Sequence, residues 1–291
     1  MPIYDINGNV LYGGGLNPSY SDSDCKAAFL AEMNKKAASI GMSSTSFLTV
    51  DGASNTAQTT TNDMALLTMI ASGYKRLAEV WSKNSYTIYK RNGGSVTVTT
   101  TVSDTTLEAS YPILGGKTGS FAGARALACL CDVNGEQVAG YIAGASSDSA
   151  RFSAMKQLMD IAATILGGGS TSATVTDATS ATAIKVPTYY PMNYEQQTPE
   201  TLYAQAGATS IVPASTTKII TAITMLDWVD DLNATFAFVS SDAVGGSGAV
   251  FSAGDVISFR DALYAIMLPS SNMTATAVAR VVGNRILTIG T

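Results

Sequence analysis

Ser215 and Lys218 sit at i and i+3 in Pro213-Ala214-Ser215-Thr216-Thr217-Lys218, ahead of an apolar run of helical spacing through Ile219, Ile220, Ile223, Met225, Leu226 and Trp228. Residues so spaced share a helix face, which puts an amine beside a hydroxyl. A serine hydroxyl is a poor nucleophile until a base takes its proton, and a lysine of depressed proton affinity can be that base. The chain has no histidine, so Ser-His-Asp and Cys-His triads, HExxH zinc sites and imidazole bases are all excluded. A helix start also offers free backbone N–H groups to developing negative charge. Alone, the Ser-x-x-Lys pair says little in a serine-rich chain.

Two further stretches add to it. Ser270-Ser271-Asn272 follows Leu268-Pro269, in a break between two helical patterns, where a hydroxyl and an amide can project into a cleft. Its plainer reading is a cap on the next helix. Lys117-Thr118-Gly119 follows Gly115-Gly116 and is expected to open a strand; a lysine and a threonine there suit a carboxylate, and Gly119 permits close approach to the backbone.

The elements expected to carry these groups follow from periodicity and punctuation. Helices are expected from Asp24 to Ile40, after Thr60-Thr61, from Tyr74 to Trp81, from Ser149 to Gly167, after Thr217, from Ser258 to Pro269, and from Thr274 to about Val282. Alternating residues predict strands around Asn92-Gly93-Gly94, and a hairpin joins 124–133 to 137–145 through Asn134-Gly135. Asn7-Gly8 predicts another hairpin turn in a polar lead, residues 1–23. Asp5, Asn7 and Asn9 resemble an EF-hand start, but Val10 and Leu16 stand where Gly and Glu are needed, so calcium is rejected. Gly167-Gly168-Gly169-Ser170-Thr171-Ser172 begins a flexible linker, 167–182.

Composition narrows the class. Of 291 residues 46% are hydrophobic and 13% charged, which is globular and long enough for a full core. A net charge of −5 argues against nucleic acid as a partner. Cys25, Cys129 and Cys131 are expected as buried free thiols, with no metal spacing and no cofactor. No signal peptide and no membrane span is expected, and localisation is left open.

Together the three motifs are a set found in class A β-lactamases and penicillin-binding proteins. The chain resembles the serine D-alanyl-D-alanine carboxypeptidases, the low-molecular-mass penicillin-binding proteins, through 213–219, 268–272 and 116–119, and also through 29–42, 61–67 and 85–88. The likeness covers about 24–165 and 183–283. It implies an α/β (α+β) fold of β-lactamase/DD-peptidase type, with a mainly antiparallel sheet flanked by helices and an all-helical lobe. Domain expectations follow: a single catalytic unit, 24–283, with a helical lobe from 24–83 and 215–283, an α/β lobe from 84–214, and a tail, 284–291.

The motif order departs from the family, where Ser-x-x-Lys comes first and Lys-Thr-Gly last; here Lys117 precedes Ser215. A circular permutation accounts for this, with the linker joining the family's end to its beginning. Domain swapping between two chains is the alternative to a permuted monomer. By resemblance, Ser215 attacks the carbonyl of a D-Ala-D-Ala peptide, Lys218 takes its proton, Ser270 relays a proton to the leaving amine, and Asn272 holds Lys218 and the substrate amide. Lys117, Thr118 and Gly119 form the carboxylate side, and the N–H groups of Ser215 and Ser120 the oxyanion hole. The implied partners are a peptidoglycan stem peptide or a β-lactam, which places the family at the cell envelope or outside it. Phe121 departs from the small hydroxyl residue often found there, and its bulk is expected to narrow the carboxylate site. A related esterase or β-lactamase, or a catalytically idle binding module, are the other readings.

Overall fold

The computed structural model describes residues 16–187 and 199–289, and the backbone of 3–4 and 10–11. In chain order the elements are β1 (Ile3–Tyr4), β2 (Val10–Leu11), α1 (Asp22–Ser39), α2 (Thr61–Ser72), α3 (Lys75–Trp81), β3 (Ser85–Tyr89), β4 (Ser95–Thr99) and α4 (Thr105–Ser110). Then come β5 (Ile113–Phe121), β6 (Ala124–Val133), β7 (Glu136–Ala145), α5 (Asp148–Leu166), β8 (Ser180–Lys185), β9 (Glu200–Gln205), α6 (Lys218–Trp228), β10 (Thr235–Ala237), β11 (Val256–Ser258), α7 (Phe259–Met267) and α8 (Asn272–Ile289). The fold is mixed α/β.

Strands β5-β6-β7-β8-β9, in that order, form one antiparallel sheet. Asn134 and Gly135 both take positive φ, 57° and 88°, and close the β6–β7 hairpin as its dipeptide predicts. Strand alternation then sorts the core into two layers. Leu127, Cys129, Cys131, Val138 and Ile142 face α5 with Met155, Leu158 and Met159. Ala126, Ala128, Ala139, Tyr141 and Ala143 face the other way, toward α2 and the helical core. That core packs α1, α6, α7 and α8 around Phe29, Met33, Ile219, Ile223, Leu263 and Val278. One buried ion pair sits in it: Arg280 on α8 donates from Nε and Nη2 to Asp242 at 2.8 and 2.7 Å, and from Nη2 to Ala237 O at 2.9 Å.

Several boundaries differ from expectation. Helix α1 is capped by Ser21, not Asp24, which instead completes a reciprocal capping box. Ser147 rather than Ser149 caps α5, its hydroxyl accepting from Ala150 N. Helix α8 runs on to Ile289, and Asn284, within the expected tail, accepts from Asn17 N at 2.7 Å. Strands β8 and β9 and helix α4 were not foreseen, so the linker is shorter, reaching β8 at Ser180. Lys117-Thr118-Gly119 lies inside β5, not at its start. Gly115 and Gly116 are strand residues there, because a Cβ on Gly115 would lie 2.5 Å from the Trp81 side chain and one on Gly116 2.3 Å from Ala128 O. The β1–β2 pairing agrees with the predicted hairpin, whose Asn7-Gly8 turn lies outside the described residues. The three cysteines are free and buried.

Candidate active site

Ser215 sits in a 3-10 turn, Ala214–Thr217, that leads into α6, and is half-buried. Lys218 is the first residue of α6 and is fully buried. Its ammonium has three donors and three acceptors around it: Ser215 Oγ at 3.1 Å, Asn272 Oδ1 at 2.7 Å and the backbone carbonyl of Asp51 at 2.7 Å. Burial pushes the Lys218 ammonium down from 10.5 to about 8, and the nearby Asp51 carboxylate works against that fall. A lysine so placed is neutral in a useful fraction near neutral pH and can take a proton from the hydroxyl beside it.

The loop before α2 supplies the third acceptor. Thr221 Oγ1 on α6 donates to Val50 O at 2.6 Å, which pins the loop to the helix. Gly52 follows with φ of +81°, and a Cβ there would fall 1.9 Å from Ala214 O. Only glycine lets the loop close on the turn that carries Ser215. Asp51 and Gly52 went unnoticed in the sequence, because a backbone carbonyl leaves no motif.

Ser270 and Asn272 bridge α7 and α8. Asn272 opens α8, and its amide also donates to Gly245 O at 3.1 Å. Ser270 takes a positive φ of 69°, and its buried hydroxyl has no hydrogen-bond partner among the described residues. Strain of this kind, about 1–3 kcal/mol, is held only where surroundings impose it. Ser271, not Ser270, caps α8: its hydroxyl accepts from Thr274 N at 3.2 Å.

Strand β5 reaches the same place from the sheet. A Cβ on Gly119 would lie 3.0 Å from Pro213 O and 3.3 Å from Thr216 N, so the strand and the serine-bearing turn are in direct contact. Lys117 is fully buried, and its ammonium donates to Thr118 O at 2.9 Å. Burial, then the charges of Lys218 and Arg151, hold its proton affinity well below the usual lysine range. Thr118 shares a 2.7 Å hydrogen bond with Thr101.

Arg151, on α5, is a cation that sequence spacing did not single out. Its Nη1 donates to Ser120 Oγ at 3.3 Å and to Gly119 O at 3.4 Å, and its Nη2 pairs with Asp148 at 2.7 Å. Alternation puts Thr118 and Ser120 on the Arg151 side of β5, with Gly119 and Phe121 on the other. Phe121 therefore faces away from Thr118 and Ser120, on the strand face that Lys117 shares. It lines a cavity of about 320 Å³ with Gly119, Ala126, Ala143, Val212 and Ala214.

The three motifs thus adjoin one another within one chain: Ser215, Lys218 and Asn272 are joined by hydrogen bonds, the buried Ser270 hydroxyl lies two residues before Asn272, and the strand that carries Lys117 packs at Gly119 against the serine-bearing turn. Among the described residues no cluster suits a metal, and no helix is long and apolar enough to cross a membrane. No curated protein and no solved structure matches the chain. Residues 22–145, from α1 through β7 and so including Lys117-Thr118-Gly119, match the model of the D-alanyl-D-alanine carboxypeptidase family. That match, with the mixed α/β fold and five-stranded antiparallel sheet that agree with it, supports the resemblance of the chain to this family of serine peptidases.

Proposed function

We propose that the protein is a serine acyl-transferase of D-Ala-D-Ala carboxypeptidase type, working through an acyl-enzyme on Ser215. Neutral Lys218 accepts the Ser215 proton as Oγ bonds to the carbonyl carbon of the penultimate D-Ala. The carbonyl oxygen becomes an oxyanion facing the N–H groups of Ser215 and Ser120, a type of stabilisation worth about 2.7–4 kcal/mol per donor. As the C–N bond breaks, Ser270 passes a proton to the leaving amine. Water then attacks the ester and regenerates Ser215. Asn272 fixes Lys218, and Lys117, Thr118 and Arg151 hold the terminal carboxylate. The substrate is a peptidoglycan stem peptide, and penicillins acylate the same hydroxyl, because their ring amide mimics the scissile bond. The observation that carries this reading is the hydrogen-bonded chain Ser215 Oγ, Lys218 Nζ, Asn272 Oδ1.

The motif order is read as a circular permutation. In support, β7 and β8 are antiparallel neighbours joined through α5 and the glycine-serine linker, so one chain closes its own sheet. A monomer suffices for the site, and no exchange between chains is needed.

The test is intact mass after incubation with penicillin, with peptide mapping of the adduct. A stoichiometric adduct on Ser215, absent in Ser215→Ala, is expected. No adduct at high dose, or an adduct elsewhere, would refute the reading and favour an idle binding module.

A further inference from the structure

We propose that the cavity beside Phe121 is an apolar subsite for the acyl side of the substrate, and that Phe121 sets which acyl groups fit. This rests on the reading of Ser215 as the acylated residue and adds the class of donor: one carrying a hydrocarbon side chain near the scissile carbonyl.

The cavity adjoins the reacting centre on two sides. Ala214 lines it and immediately precedes Ser215; Gly119 lines it and immediately precedes Ser120. Its volume of about 320 Å³ exists because small residues converge there. Gly119, Ala126 and Ala143 are aligned across β5, β6 and β7 on one sheet face, and none fills the space. Phe121, the last residue of β5, also lines it, beside the β5–β6 turn.

Its chemistry points to an uncharged occupant. The wall is almost wholly aliphatic and aromatic. The one charged residue lining it, Arg125, is engaged by Asp148 at 3.0 Å, and the Thr179 hydroxyl donates to Ala143 O at 3.1 Å. A carboxylate or ammonium placed here would lose its hydration without a partner, whereas a hydrocarbon gains from leaving water. In the proposed function the anionic end of the substrate is held by Lys117, Thr118 and Arg151, of which Thr118 and Arg151 lie toward the opposite face of β5.

The test uses penicillins with unbranched acylamino side chains from acetyl to octanoyl, and follows the acylation rate by intact mass. The rate should rise about threefold to fourfold per buried methylene, then level off when the cavity is full. Phe121→Ala should move that plateau to longer chains and Ala143→Leu to shorter ones, with thermal melts showing that both variants fold. A rate independent of chain length, or a plateau that neither variant moves, would overturn the subsite while leaving Ser215 acylation intact. Absence of any adduct would instead count against the reading of Ser215. In that case N-acyl-D-Ala-D-Ala peptides bearing the same acyl series, titrated calorimetrically into Ser215→Ala, decide the subsite: affinity rising with chain length upholds it, and a flat series removes it.

Discussion

Replacing Asp51 by Asn changes one charge beside Lys218 and leaves in place the backbone carbonyl that the ammonium uses. On the proposed mechanism acylation needs neutral Lys218, so its rate follows that titration. With the amine at about 8, roughly one tenth of it is neutral at pH 7, against about one part in 3,000 for an ordinary lysine. The fall from 10.5 corresponds to about 3 kcal/mol in favour of the neutral form. Acylation should therefore climb about tenfold per pH unit below 8 and flatten above it. The Asp51 carboxylate holds Lys218 up, so Asp51→Asn lets it fall further and shifts the acid limb to lower pH. A displacement of only half a unit makes the variant about threefold faster at pH 6. The assay is the second-order rate of penicillin adduct formation from pH 5.5 to 9.5, with circular dichroism confirming the fold. A limb that stays in place, or moves to higher pH, would refute the assignment of Lys218 as the base under Asp51 control. The same group affects stability in a defined window. Its folded-state proton affinity lies below the unfolded value, so the unfolded chain binds more protons between about pH 8 and 10.5, and this group makes stability rise with pH there.

Two further outcomes follow from buried charge. Lys117, held well below the usual lysine range by burial and by Lys218 and Arg151, should take up a proton when a carboxylate-bearing ligand binds; calorimetry of Ser215→Ala with a D-Ala-D-Ala peptide, in buffers of different ionisation enthalpy, should show net uptake, and release would contradict it. Arg280→Met leaves the fully buried Asp242 without its partner and should cost about 3–5 kcal/mol, read as the shift in urea midpoint at constant slope; a loss below about 1 kcal/mol would mean that the pair is not held in the core.

What the sequence made legible was whatever announces itself locally. Asn134-Gly135, the Ser258–Asp261 capping box and the 3.6-residue periodicity of α1 and α6 need no partner to be recognised. The eight candidate residues stand out for the same reason, as three short motifs. Missed features depended on contacts across the fold. Strand β8 reads Ser-Ala-Thr-Ala-Ile-Lys, with no strong β-formers apart from Ile184 and Thr182; it is a strand because β7 and β9 flank it and Thr182 bonds to Thr61 and Asn62 of α2. Gly115-Gly116 reads as a turn until Trp81 and Ala128 are placed against it. Arg151 and Asp51 belong to the site only through the elements that deliver them, one from α5 and one from a loop.

Strand β5 is where these separate contributions become one device. Its glycines allow the serine-bearing turn and the Trp81 ring to approach, which buries Lys117 next to the Ser215–Lys218 pair. Two cations forced together out of water each favour losing a proton, and the more exposed hydroxyl between turn and strand is the group that can give one up in exchange. An arriving carboxylate then favours the charged form of Lys117 without touching Lys218, which stays on its own acceptors: Asn272, Asp51 O and Ser215. In the proposed mechanism anion binding and base strength thereby fall to different lysines. Exchanging either for arginine, whose guanidinium stays protonated, should abolish base function at 218 yet retain anion binding at 117 only where the buried space admits the larger head.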